Sequence, residues 1–191
     1  GFNRIHAILG ASEHCIAVHP SDMCVALAAL DAVVNVEGPT GARQIPITDF
    51  HRLPGDTPHV DTNLHPDELI VAVDLPASAF AKHSRYLKIR DRAQYAFALV
   101  SVAAALDIQQ GRINAARLAL GGVAHKPWRA LDAEKVLTGA QANAQTFKAA
   151  AEAAVKNAVP QQHNAFKIEL ARRAVVRLLS EVAGLTTGGA A

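Results

Sequence analysis

The sequence predicts an α+β fold in two packed parts. A helix with antiparallel strands comes first, then a three-stranded antiparallel sheet carrying a layer of three helices. Three observations predict this. Composition changes near Pro76, from Pro, His, Asp and β-branched residues before it to alanine-rich segments after it. Residues 96–109 alternate, with Val100, Val102, Ala104, Leu106 and Ile108 on one face, the period of a strand. Near the end, Phe166, Leu170, Val175, Leu178 and Val182 follow helical spacing. The boundary Leu75-Pro76-Ala77-Ser78 is no low-complexity tether, so residues 1–76 and 77–191 read as two small domains packed together.

The first part opens its helix at Ser21-Asp22, where a Ser or Asp side chain can accept from an orphan N–H of residues 23–30. Pro20 removes a backbone donor just ahead of it. Residues 32–36 read as a strand, Gly38-Pro39-Thr40-Gly41 as a turn, and 43–47 as the hairpin partner. Residues 51–65 carry Pro54, Gly55 and Pro58 and predict an irregular loop. Residues 69–75 form a strand ended by Pro76.

In the second part, residues 85–89 and 96–109 are strands, Gln110-Gly111 is a turn, and 112–120 returns until Gly121-Gly122 ends it. A short helix over 132–138 stops at Gly139, a natural C′ residue. An alanine-rich helix over 143–158 ends before Pro160. Asn164 is placed to cap the last helix, which runs to Ala183. Lys167, Arg172, Arg173 and Arg177 fall off its apolar stripe and predict a basic, solvated face. Thr186-Thr187-Gly188-Gly189 reads as a frayed tail.

Composition excludes several classes. Half of the 191 residues are hydrophobic and 19% are charged, so this is no disordered polar chain. Aromatics are only 5%, and Ala supplies roughly a fifth, so small aliphatic residues build the core. Nineteen Lys and Arg against 17 Asp and Glu give +2, which argues against a nucleic-acid polycation. No apolar run approaches the roughly 20 residues that cross a bilayer, so no membrane insertion is expected. Two cysteines, Cys15 and Cys24, exclude a disulfide-rich scaffold and a four-cysteine zinc site. The chain opens at Gly1 and reads as a processed chain or a piece of something longer.

Motif chemistry is sparse. No nucleophile elbow, dinucleotide-binding glycine motif or P-loop occurs. Of nine histidines, His51, His59 and His65 share the 51–65 loop with Asp56 and Asp61, at no compact ligand spacing. They read as solvated loop residues. His14, Cys15 and His19 lie close in sequence, and Cys24 is the only other thiol that could complete a ligand set. Free, buried cysteines are the favoured reading there, and no metal is expected. A Cys15–Cys24 disulfide would need an oxidising compartment.

Several phrases in order carry a resemblance. They run His19-Pro20-Ser21-Asp22, then Gly41-Ala42-Arg43, then Asp67-Glu68-Leu69-Ile70 to Leu75-Pro76. Tyr86-Leu87-Lys88-Ile89-Arg90-Asp91-Arg92 and Ala98-Leu99-Val100-Ser101-Val102 follow, then Leu120-Gly121-Gly122-Val123-Ala124-His125-Lys126-Pro127-Trp128. Together they resemble the medium, FAD-binding subunit of molybdenum hydroxylases, the xanthine dehydrogenase and CO dehydrogenase flavoprotein family. Ser12-Glu13-His14-Cys15 and the Pro-Ser-Asp phrase are most similar to the FAD subunits of bacterial periplasmic aldehyde oxidoreductases.

The resemblance implies the following. Residues 1–76 would be the second lobe of the FAD-binding domain, and 77–191 the CO dehydrogenase flavoprotein C-terminal-like domain. Asp22 matches a flavin-contacting aspartate that can accept from ribityl hydroxyls. Ile70 matches an aliphatic flavin contact, and Lys88 a lysine near the isoalloxazine ring. Arg92 matches a basic loop position. Tyr95 and Phe97 approach the ring where the mammalian xanthine enzymes have acidic and aliphatic residues. The chain would hold no substrate-oxidising residue. Electrons would come from a large molybdenum-cofactor subunit through [2Fe–2S] clusters in a small subunit to FAD, in a heterotrimer. The family's glycine-rich pyrophosphate-binding lobe, and the cysteines for a [4Fe–4S] cluster, are not among these residues. Alone, the 191 residues are expected to bind FAD weakly or not at all. The compartment would be the periplasm, by co-export with a signal-bearing partner, or the cytoplasm. The alternative is a non-catalytic module docking a partner through the basic face of its last helix.

Overall fold

The computed structural model describes residues 1–77, 80 and 83–185. The 186–189 tail and part of the boundary after Pro76 lie outside the described residues.

Helix α1 spans Asp22–Ala29, and Ser21 Oγ accepts from the Cys24 N–H at 3.2 Å, the predicted cap. Strands β1 (Val33–Gly38), β2 (Gly41–Pro46) and β3 (Leu69–Asp74) pair antiparallel in the order β2-β1-β3. The hairpin turn needs Gly41, whose φ is 107°. Ile47, expected in β2, instead begins helix α2 (Ile47–Phe50). Its N–H reaches back to the Ala32 carbonyl at 2.9 Å, and Ile47 and Phe50 are buried, so tertiary packing overrides the strand pattern. The 51–65 segment is irregular as expected, with one isolated bridge between His51 and Thr62. Strand β3, at one edge of its sheet, is exposed along its whole length.

The second sheet runs β4-β5-β6-β7, from Ser84–Ile89, Val100–Gln109, Arg112–Gly121 and Trp128–Arg129. It therefore has four strands among the described residues rather than three. The two-residue β7 pairs Ala119 with Arg129 and Leu120 with Trp128. β5 begins at Val100, not Ala96, because residues 96–99 bend away to line a cavity. Helices α3 (Leu131–Leu137), α4 (Ala144–Ala154) and α5 (Phe166–Val182) form the expected helical layer. Asn143 caps α4 by accepting from the Thr146 N–H at 2.9 Å.

Both faces of β5 and β6 are buried, and this positions the site. On one face Val102, Leu106, Leu118 and Leu120 pack with Phe147 and Leu178 of the helical layer. On the other, Ala103 and Ala119 pack with Val25, Ala28, Val34 and Val36. Small residues there let α1 approach the sheet closely. A Cβ on Gly121 would press on Ser101 Oγ and lie 2.5 Å from Val25 Cγ2, so any larger residue forces these neighbours to shift. Charged groups close the same seam. Asp31 accepts from Arg117 at 2.7 Å and Arg129 at 2.6 Å, while Arg129 also donates to the Ala28 carbonyl at 2.8 Å and pairs with Glu134.

Two expectations about the last helix are corrected. Asn164 does not cap it. Its Oδ1 accepts from Gln161 N–H at 2.6 Å and its Nδ2 donates to the His6 carbonyl at 3.0 Å, tying down the incoming chain. Lys167 is not on a solvated face but fully buried. Its ammonium donates to the carbonyls of Ile5 (3.0 Å), His6 (2.8 Å) and Gly122 (2.5 Å). Burial without a carboxylate partner pushes its pKa down to about 8. Arg172, Arg173 and Arg177 are answered within the chain, by Glu152 at 2.9 Å, Glu169 at 2.8 Å and Glu181 at 2.8 Å. No helix among the described residues is long and apolar enough to cross a membrane.

Candidate functional site

A mostly apolar cavity of about 700 Å³ opens where the segment leading into α1 meets β4 and the 91–99 loop. Asp22, at the first position of α1, projects into it from one side, and Lys88 of β4 from the other. Tyr86 and Lys88 are two apart on β4 and so share a face. Both reach the same carboxylate. The Tyr86 hydroxyl donates to Asp22 Oδ1 at 2.8 Å and the Lys88 ammonium to Oδ2 at 2.7 Å. Burial raises the Tyr86 pKa, and the Asp22 carboxylate accepting its proton adds to this, so the phenol stays protonated as a donor.

The loop between β4 and β5 forms the outer wall. Arg92 donates to the Tyr95 carbonyl at 3.1 Å, holding Tyr95 at φ 52°, and Asp91 is tied to Arg4 at 2.8 Å. Tyr95 and Phe97 stand 95% and 73% exposed at the mouth. At the back, Gly122 (φ 69°) lets the chain pass the Ala98 carbonyl, which a Cβ would meet at 2.7 Å.

Of the three residues singled out by the sequence, the fold brings Asp22 and Lys88 together. Ile70 stands apart, half exposed opposite Val36 on β3, and is not among the described residues lining the cavity. Tyr86 was missed. Its period-two spacing from Lys88 was the available signal.

The histidines group differently from their sequence clusters. His19, Cys24 and His51 place ligand atoms within 4.8 Å of one another. Burial lowers the pKa of both imidazoles, that of His51 to about 4, so both are neutral at ordinary pH. Both cysteines are free and half-buried rather than fully buried. Cys15 Sγ lies 3.7 Å from His125 Nδ1, and His125 Nε2 lies 3.0 Å from Asp61 Oδ1. His59 and His65 are exposed.

The cavity suits a small organic ligand. Its volume lies in the range of small-molecule sites, and its wall is apolar with a few convergent polar groups. Asp22 retains acceptor lone pairs beyond the two already used. Comparison with known proteins decides the family. Residues 85–182 match the CO dehydrogenase flavoprotein C-terminal domain, and residues 10–78 the FAD binding domain in molybdopterin dehydrogenase. The chain belongs to the FAD-binding subunits of the molybdenum hydroxylases. It is 51% identical over 183 residues to the aldehyde oxidoreductase FAD-binding subunit PaoB of Escherichia coli K12, covering 95% of this chain and 54% of that one. It is 37% identical over 123 residues to the glyceraldehyde dehydrogenase medium chain of Sulfolobus acidocaldarius, covering 64% and 41%. The solved quinoline 2-oxidoreductase of Pseudomonas putida 86 superposes with a TM-score of 0.72 at 28% identity, covering 95% and 59%. This flavoprotein-family chain thus spans about half the length of the curated relatives it matches.

Proposed function

We propose that this chain forms one wall of the FAD site in a molybdenum-containing aldehyde oxidoreductase. Electrons would arrive from a large molybdenum-cofactor subunit through [2Fe–2S] clusters of a small subunit and leave to an external acceptor. The observation that carries this reading is the Asp22–Lys88 pair, 2.7 Å apart, inside a cavity within a chain of this family. The 51% identity to an aldehyde oxidoreductase FAD-binding subunit supports the substrate class.

Bound FAD would supply the chemistry of accepting electrons and passing them on. The chain's own residues bind and tune it. Asp22 accepts from a ribityl hydroxyl while Tyr86 fixes its orientation. The Lys88 ammonium favours negative charge in the cavity. Tyr95 and Phe97 offer flat apolar faces at the mouth. Ile70 enters as an aliphatic contact on the strength of the resemblance, from an exposed strand outside the cavity. The working division is 1–76 for the second FAD lobe and 77–191 for the C-terminal domain. The compartment is the periplasm, by co-export with a signal-bearing partner, or the cytoplasm, and cell fractionation decides between them.

The alternative, a docking module using the basic face of α5, loses its basis. Lys167 is buried, and Arg172, Arg173 and Arg177 are paired within the chain. The test is flavin content. The purified intact subunit should show flavin absorbance, and Lys88→Ala should lower the flavin reduction potential. A subunit without flavin, and unable to take it up, would overturn the reading.

A further inference from the structure

We propose that His19, Cys24 and His51 bind a single zinc ion beside the cavity. The three residues come from separate places in the sequence. His19 precedes α1, Cys24 lies in its first turn, and His51 follows α2. Their ligand atoms nevertheless all fall within 4.8 Å of one another. Ligands on a tetrahedral zinc, at bond lengths of about 2.0–2.3 Å, stand roughly 3.3–3.8 Å apart. Closing the site therefore takes shifts of about 1 Å in the ligand atoms.

A second observation is independent of that proximity. His19 Nε2 and His51 Nδ1 are both buried, and neither has a hydrogen-bond partner among the described residues. Two orphaned ring nitrogens in one spot are unusual, because buried polar atoms almost always find a partner. The rings lie 4.3 Å apart at 56°, so they do not satisfy each other. An ion between them gives both nitrogens a partner.

The framework is already rigid. His19 N–H donates to the Ala124 carbonyl at 3.0 Å, Ser21 caps the turn bearing Cys24, and His51 forms a β-bridge with Thr62. The donor set selects the metal. Two imidazoles and one thiolate suit zinc, whereas carboxylate and carbonyl sites suit magnesium or calcium. Three protein ligands leave a fourth position for water. The site would fasten α1 to the loop after α2. Residues 19–22 line the cavity, so the ion would also steady the wall that presents Asp22.

The test is elemental analysis of the intact protein carrying this chain, equilibrated with zinc and then freed of loose metal. Zinc is counted separately from iron and molybdenum. The expected result is one zinc per chain. Cys24→Ala and His51→Gln should each weaken zinc binding by about 10–100-fold, while His65→Gln, at an exposed histidine, leaves it unchanged. Cobalt(II) added to metal-free protein should give a thiolate-to-metal charge-transfer band that Cys24→Ala abolishes. Should His51→Gln fail to fold, Cys24→Ala decides, since alanine suits a helix. Absence of zinc after equilibration, or zinc content unchanged in Cys24→Ala, overturns the proposal.

Discussion

The Lys88 ammonium lies 2.7 Å from the Asp22 carboxylate, joining the second strand system to the first helix across the cavity. Both partners are partly exposed, so the pair stabilises the fold by at most about 1 kcal/mol. Its larger consequence is the charge it places in the cavity. Removing Lys88 leaves an unbalanced carboxylate, and removing Asp22 leaves an unbalanced ammonium. Lys88→Ala should therefore lower the flavin reduction potential, and Asp22→Ala raise it, each on the order of tens of millivolts. Spectroelectrochemical titration of the intact subunit reads both. Shifts of the same sign would contradict this electrostatic account.

Gly121→Ala should destabilise the chain by about 1–3 kcal/mol, because its Cβ would press on Ser101 Oγ and, at 2.5 Å, on Val25 Cγ2. Shrinking the neighbour in Gly121→Ala/Val25→Ala should recover part of the loss. Denaturant melts of the single and double variants test the coupling.

Lys167 predicts a pH effect with a definite sign. Its folded pKa is about 8, below the ordinary lysine value of 10.5. Between these values the unfolded chain binds more protons than the folded one, so stability contributed by this group rises with pH. Below pH 8 the full penalty of burying the charge applies. Relative to Lys167→Met, the wild type should gain roughly 3 kcal/mol from pH 8 to 10.5. Unfolding curves across that window check it.

Glu68 predicts the opposite limb. Arg43 donates to both of its oxygens, at 2.6 and 2.7 Å, and the His65 N–H adds a third bond at 2.8 Å. These hold its pKa down to about 2, from 4.5. The stability it contributes is complete above pH 4.5 and is lost as pH falls toward 2. Glu68→Gln should be less stable at neutral pH and flatter between pH 4.5 and 2. Acid-unfolding titrations of the two proteins compare the slopes.

Local signals in the sequence were enough to place some elements. Ser21 caps α1, Asn143 caps α4, and the alternation from Val100 to Ile108 marks β5. Asp22 and Lys88 could be singled out by resemblance, but their contact could not, since it depends on how α1 docks on the second sheet. Lys167 and Asn164 were misread because their partners are carbonyls of residues 5–7 and 122, far along the chain. The His19–Cys24–His51 cluster escaped for the same reason: Cys24 already stood with the His14–Cys15–His19 group, but His51 comes from the later loop and reaches them only through the fold.

The central claim is that the Asp22–Lys88 cavity holds the flavin. The most direct measurement is FAD titration of the flavin-stripped intact subunit, wild type against Asp22→Ala, with thermal stability measured in parallel. Loss of a charge-assisted hydrogen bond should weaken FAD binding by about 10–100-fold, with little change in melting temperature. Wild-type FAD affinity in Asp22→Ala and in Lys88→Ala alike would contradict the account.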